Sequence, residues 1–247
     1  MAWTEMSRIA PSPPDAVIFD LYETLVTEFD PEWRPGPSVA ERLGLEEEAF
    51  ADAWDRIRGR RESGLAADFP SALREISERL GHTPSEAVIQ QLYQERLVSK
   101  ARPFRQVEDE ILQMVRALKR NGRKIGLISN AACEEVAAWG SCALAPCLDE
   151  AIFSYRVGLM KPDERVYRLA CENLGVLPKS AVFIGDGASG ELLGAAEAGL
   201  RPYWATWFLD RWPVWKMSPG SREEAGRYQQ LKSPGEVISI VVGESAA

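Results

Sequence analysis

Four apolar residues, Ala16-Val17-Ile18-Phe19, run straight into Asp20, and Thr24 follows four positions later. Such a run reads as a buried strand that delivers its carboxylate to the edge of a sheet. A carboxylate so placed can be a nucleophile, a metal ligand or the cap of a turn. Three later stretches bear on that choice. Ser129-Asn130 follows Ile125-Gly126-Leu127-Ile128, Lys161-Pro162-Asp163 sits in a loop, and Gly185-Asp186-Gly187 with Glu191 follows Ala181-Val182-Phe183-Ile184. Each also has an ordinary structural reading. Thr24 can cap a turn, Lys161 can be a solvated loop lysine, Asp186-Gly187 can be a plain turn, and Glu191 can be an early-helix acid favoured by the macrodipole. The single histidine, His82, lies between a helix stop and a helix start and reads as a solvated turn residue. A Ser-His-Asp or Cys-His mechanism would have to use it as the base, which argues against both.

The elements that must position these groups follow from periodicity. Strands are expected at 16–19, 124–128, 151–153, 181–184 and 203–206. Helices are expected at 107–119, 132–139, 163–174, 189–198 and 235–242, with 243–247 fraying. Strands alternating with helices specify an α/β fold, a parallel sheet covered on both faces. Its polar strand ends would then converge on one edge, where ligands bind. Between the first two strands, residues 38 to 100 are helical and charged. Phe50, Trp54 and Ile57 share one helical face, as do Leu73, Ile76 and Leu80. We read 33–104 as an inserted helical domain of four short helices and 1–32 with 105–247 as the core.

The chain has 247 residues, 45% of them hydrophobic and 27% charged, with a net charge of −8. That is enough chain for a large core, and it lacks the basic footprint of a nucleic-acid or membrane-surface binder. No stretch reaches the ~20 apolar residues of a membrane span. Residues 1–15 hold no run suited to a signal peptide, and 11–14 form a stiff, proline-rich lead-in. Cys133, Cys142, Cys147 and Cys171 contain no C-x-x-C pair, which makes a zinc site improbable with one histidine. They read as reduced thiols of a cytoplasmic protein. The expected partner is a small anionic molecule, met by local positive charge or a metal, and the protein is expected as a monomer or homodimer.

In order and spacing, Asp20-Leu21-Tyr22-Glu23-Thr24, Ser129-Asn130, Lys161-Pro162-Asp163 and Gly185-Asp186-Gly187-Ala188-Ser189-Gly190-Glu191 resemble the four motifs of the haloacid dehalogenase-like hydrolases. The resemblance spans about residues 16 to 206. It implies a Rossmann-like core with a helical cap where the inserted block stands. It also implies that Asp20 attacks phosphorus or carbon and forms a covalent intermediate. Thr24 and Ser129 would donate hydroxyls to the substrate, with Asn130 as a further substrate contact, and Lys161 would neutralise the reacting charges. Asp20, Asp186 and the backbone carbonyl of Tyr22 would bind Mg²⁺. Glu191 stands for the family's usual second aspartate and would reach the metal or a water on it.

Two residues depart from the phosphatase pattern. Many family phosphatases carry an aspartate at Tyr22 that protonates the leaving oxygen, and a phenol with a pKa near ~10 is a weak acid for that task. Tyrosine there is typical of the metal-independent 2-haloacid dehalogenases. The fourth motif points the other way, because Asp186 beside Asp20 would repel it without a cation between them. The expectation is therefore a Mg²⁺-dependent phosphatase. The alternatives are a dehalogenase or a nearly inactive phosphate-binding protein. Glu23 replaces a common glycine and reads either as a contact to cap arginines or as a solvated turn residue.

Arg56, Arg58, Arg60 and Arg61 crowd one stretch of the inserted block. They form either a solvated face or a clamp for an anion, in which case Arg56 and Arg60, one turn apart, would reach the site. Trp204, Trp207, Phe208, Trp212 and Trp215 cluster after the last expected strand. They can pack a C-terminal segment on the core, line the site or form an interface patch.

Overall fold

The fold is seen in a computed structural model that describes residues 13–32, 34, 36–66, 68–212 and 219–242. The expectations for the first twelve residues, for Trp215 and for 243–247 lie outside the described residues. Six parallel strands form one sheet in the order β3-β2-β1-β4-β5-β6. They are β1 (Ala16–Phe19), β2 (Lys124–Ser129), β3 (Glu150–Phe153), β4 (Ala181–Gly185), β5 (Arg201–Ala205) and β6 (Gln230–Leu231). The asp-bearing first strand is central, with Ala16 to Phe19 in register with Lys124 to Leu127 on one side and Ala181 to Ile184 on the other.

The four apolar residues of β1 are fully buried because both faces of the sheet are covered. Val17 and Phe19 point into a core shared with α5 (Asp109–Arg120) and α10 (Pro234–Val242), through Ile111, Val115, Leu118, Val237 and Val241. Ala16 and Ile18 point the other way, against α7 (Glu164–Leu174) and α8 (Glu191–Glu197), through Val166, Tyr167, Leu192 and Ala195. Each fully buried aliphatic side chain contributes about 1.5–3 kcal/mol of transfer free energy.

Between β1 and β2 run α1 (Val39–Leu43), α2 (Glu47–Glu62), α3 (Phe69–Arg79) and α4 (Glu86–Arg105). They enclose a core of their own, including Leu43, Ile57, Phe69, Leu73, Ile76, Ile89 and Leu92. The last turn of α4 sends Phe104 into the core under the sheet.

Several local expectations are corrected. The helix read at 132–139 is two 3-10 turns, Cys133–Glu135 and Trp139–Ser141. Glu135 accepts from Ala132 N at 2.9 Å, and Glu134 accepts from Arg61 at 2.6 Å. The helix expected from 189 starts at Glu191, because Gly187, Ser189 and Gly190 all have positive φ. Strand β6 and the short helices α6 (Ser154–Val157) and α9 (Pro219–Ala225) were not legible, since none has a run long enough to carry a period. No described helix is long and apolar enough to cross a membrane.

Candidate active site

All strands are parallel, so their C-terminal ends open on one edge, where the polar residues meet. Asp20 follows β1, its backbone N–H still bonded to Ile184 O at 2.8 Å. Ser129 ends β2 and Asp186 follows β4. Lys161 arrives from the loop beyond α6, and its backbone is fixed by Asn130. The Asn130 side chain donates to Lys161 O and accepts from Lys161 N, both at 2.8 Å. Both ends of that amide thus help to aim the lysine, and Asn130 also borders the cavity, with a second N–H not used by Lys161.

The Lys161 ammonium is buried and contacts Asp20 Oδ1, with Glu191 Oε2 at 2.5 Å. Glu191 Oε1 accepts from Gly187 N at 3.0 Å. Glu191 lies so close to the end of β4 that a Cβ on Gly185 would meet its Oε1 at 2.1 Å, so glycine is required there. Carboxylate oxygens of Asp20, Asp186 and Glu191 lie within 4.8 Å of one another, all three residues buried. Burial, then the Asp20 charge, pushes Asp186 up to about 7. Burial also raises Glu191 well above the ordinary carboxylate value, with Lys161 opposing the shift. For Lys161 burial opposes the charge, but Asp20 and Glu191 outweigh it and hold the ammonium above the usual lysine value.

These groups border a cavity of about 290 Å³. Tyr22, Glu23, Ser129, Leu209 and Ser221 line it too, and no described residue of 39–105 does. Tyr22 donates its hydroxyl to Glu135 O at 2.6 Å. Thr24 is fully buried and does not line the cavity. Its hydroxyl has no hydrogen-bond partner among the described residues, and its carbonyl accepts from Trp207 Nε1 at 3.0 Å. The Thr24 hydroxyl expected to meet the substrate thus lies behind the residues that line the cavity.

A family model for haloacid dehalogenase-like hydrolases matches residues 14–199. The chain belongs to that family. A glyceraldehyde 3-phosphate phosphatase of Methanopyrus kandleri is 23% identical over 252 aligned positions, covering 92% of this chain and 96% of that protein. Further curated relatives match in part only, and this hydrolase spans 17%, 21% and 42% of their lengths. Among solved structures, the L-2-haloacid dehalogenase of Xanthobacter autotrophicus superposes with a TM-score of 0.56 at 22% identity, covering 94% of this chain and 100% of that one. A family enzyme of Bacteroides thetaiotaomicron, solved with magnesium and inorganic phosphate, gives 0.55 at 19%, covering 78% and 94%. At these identities the structures share the fold, and the fold hosts both chemistries.

In this hydrolase four side chains, Glu23, Arg56, Arg60 and Arg61, stand where the sequence did not place them. Glu23 is buried, which excludes the solvated turn. Its carboxylate accepts from Thr27 Oγ1 at 2.6 Å, Glu28 N at 3.0 Å and Trp212 Nε1 at 2.8 Å, so the expected arginine contact is replaced by neutral donors. Arg56 and Arg60 are exposed and do not line the cavity. The inward stripe of α2 runs through Trp54, Ile57 and Arg61, which leaves Arg56, Arg58 and Arg60 on the solvent side. Arg61 is the inward-facing arginine, and it continues the spacing of Phe50, Trp54 and Ile57. It is buried, donates to Glu134 Oε1 at 2.6 Å and lies 4.9 Å from the Trp54 ring centroid. Arg96 donates to the same Oε1 at 2.9 Å and to Glu135 at 2.8 Å. Lys100 meets Glu28 at 2.7 Å. The inserted helices are thus fastened to the loop after β2, the loop that receives the Tyr22 hydroxyl.

Proposed function

We propose that this hydrolase is a Mg²⁺-dependent phosphatase acting on a small phosphorylated metabolite in the cytoplasm, through an aspartyl-phosphate on Asp20. One observation carries the reading: three buried carboxylates, Asp20, Asp186 and Glu191, face a single ammonium, that of Lys161. Three carboxylates with one ammonium in a dry site ionise together only at a high cost, which a further cation would relieve. Hard carboxylate oxygens, with a substrate oxygen and waters, are the donor set Mg²⁺ prefers. Asp20 and Asp186 would hold the ion. Glu191 uses both oxygens on Lys161 and Gly187, so it serves the site chiefly by holding Lys161. When bound, the ion supplies charge stabilisation for the transferring phosphoryl group.

In the first step an Asp20 oxygen forms a bond to phosphorus and the bond from phosphorus to the ester oxygen breaks. The leaving alkoxide or phenoxide takes its proton from solvent. In the second step water attacks phosphorus, the Asp20–phosphorus bond breaks, and the carboxylate is restored as phosphate leaves. Lys161 sits against Asp20 and neutralises charge in both steps. Ser129 lines the cavity with a hydroxyl suited to a phosphate oxygen. We take residues 33–104 as the cap of this enzyme, fastened through Arg61, Arg96 and Lys100.

A specific residue favours a second reading, metal-independent dehalogenation: Tyr22 stands where a phosphatase acid is common. One panel separates the two. We expect phosphate release from phosphomonoesters that requires Mg²⁺. Halide release from 2-chloropropionate in the presence of a chelator, with no phosphate release, refutes the phosphatase. Tight phosphate binding with no turnover of either class refutes both.

A further inference from the structure

The tryptophans that follow β4 have no part in the reaction proposed above, yet the three described after residue 200 all donate their indole N–H into the two loops that carry the carboxylates. Trp204 Nε1 donates to Asp186 O at 2.8 Å, Trp207 Nε1 to Thr24 O at 3.0 Å, and Trp212 Nε1 to Glu23 Oε2 at 2.8 Å. We propose that Trp204 and Trp207 are positioning residues of the hydrolase, Trp204 setting the loop of Asp186 and Trp207 the loop of Asp20, with Trp212 as a second tie on the latter. The inference rests on the roles assigned to Asp20 and Asp186 above.

The loops need such ties. Just past a strand end the carbonyls have left the sheet ladder, and a buried carbonyl requires a donor from elsewhere. Both loops also hold residues in the left-handed region, Glu23 at φ 58° in one and Ser189 at φ 56° in the other. A left-handed non-glycine residue costs roughly 1–2 kcal/mol and persists only where its surroundings over-determine it. Trp212 and Thr27 converge on Glu23 Oε2. Trp204 and α9 converge on Gly187, where a Cβ would meet Ala225 Cβ at 2.7 Å and Trp204 Nε1 at 3.4 Å.

The reach follows from the topology. Trp204 pairs with Gly185 across β4 and β5, so its indole meets the residue just beyond the end of β4. Trp207 comes three residues later and crosses the end of β4 to the loop after β1, which lies on the far side of β4. An indole is a rigid donor with only two side-chain torsions, which suits it to holding a loop at low entropic cost. Packing alone would explain the rings but not the shared destination of the three N–H groups. Trp139 shows the contrast: it is buried, and its ring packs edge-on to Phe104 and Phe153, away from both loops.

The test uses the full chain and the variants Trp204→Phe, Trp207→Phe and, as a packing control, Trp139→Phe. Each is measured for Mg²⁺ affinity by calorimetry without substrate, for kcat and KM on an aryl phosphate, and for Tm. Trp204→Phe should weaken Mg²⁺ binding about fivefold, the effect of one lost hydrogen bond. Trp207→Phe should lower kcat about tenfold or more and weaken Mg²⁺ binding a few-fold, with KM within about twofold of the parent, because it loosens the loop of a nucleophile that is also a ligand of the ion. Trp139→Phe should lower Tm and leave the other quantities within about twofold. Variants at 204 and 207 that match the control in Mg²⁺ affinity and kcat overturn the inference. So does a loss of kcat that only follows the folded fraction. Trp204 is partly exposed, so its variant remains informative if Trp207→Phe does not fold. A parent chain that binds no Mg²⁺ instead overturns the reading on which this inference rests.

Discussion

Replacing Tyr22 with phenylalanine separates a phenol that takes part in the chemistry from one that only holds a loop. In the structure the hydroxyl is already donated to Glu135 O at 2.6 Å. Burial first, then the Glu28 and Glu135 carboxylates, raise the phenol well above its ordinary value, so it is a poorer acid than free tyrosine. The substitution removes one hydrogen bond and leaves a carbonyl to find another donor, a loss of about 1 kcal/mol, or roughly fivefold in rate if all of it falls on the transition state. A working general acid would cost about 10²–10⁴-fold, and selectively on esters with poor leaving groups. The assay is kcat/KM across a series of aryl and alkyl phosphates for the parent and for Tyr22→Phe. In the parent the rate should fall steeply as leaving-group pKa rises, since the Tyr22 hydroxyl, already donated to Glu135 O, is not poised to protonate the departing oxygen. The variant should shift the whole line down by less than about tenfold without changing its slope. A loss of a hundredfold or more confined to the alkyl phosphates would show that Tyr22 is the acid after all. A flat line in the parent would also refute the argument.

Asp20→Asn keeps the side-chain volume and removes the attacking charge, so phosphate release should fall below about a thousandth of the parent, and activity above a tenth would rule out Asp20 as the nucleophile. Asp186→Asn should weaken Mg²⁺ binding at least ~10-fold by calorimetry, and unchanged affinity would mean the ion sits elsewhere. Arg61→Met should destabilise the fold by about 3 kcal/mol in urea titration, near the low end for breaking a buried ion pair because Arg96 still meets Glu134. A change under about 1 kcal/mol would mean that water reaches the pair. Exchanging residues 38–100 for a short linker should leave a soluble core that keeps Ala101 and Phe104, and a random-coil circular dichroism spectrum would show that the helices are part of the main folding unit.

The central strand and its carboxylate were legible because their signal is local. Four consecutive apolar residues before Asp20 suit a short strand covered on both faces, and β1 is fully buried. The same holds for β2 and β4, whose runs end at Ser129 and Gly185. Signals failed where a side chain's partner lies far along the chain. Glu134 and Glu135 have the look of helix residues, but the stretch forms 3-10 turns in which Arg61 and Arg96 hold Glu134 and Glu135 accepts from Ala132 N. Glu23 reads as a charged turn residue until Trp212, 189 positions away, donates to it.

From the sequence alone come the α/β order of elements, the apolar strands that stop at polar residues, and the identity of the groups at those stops, because each depends on neighbours within a few positions. The tertiary structure alone decided that Arg61 and not Arg56 or Arg60 turns inward, since that choice depends on the register of α2 against Phe69 and Glu134. It alone decided that both ends of the Asn130 amide are taken by Lys161, that Thr24 is shut away from the cavity, and that the indoles of the C-terminal run end in the carboxylate loops. These are contacts between segments that only the packing of the sheet edge brings together, and a hydrogen bond across 183 positions, as between Trp207 and Thr24, leaves no periodicity in the chain from which it can be read.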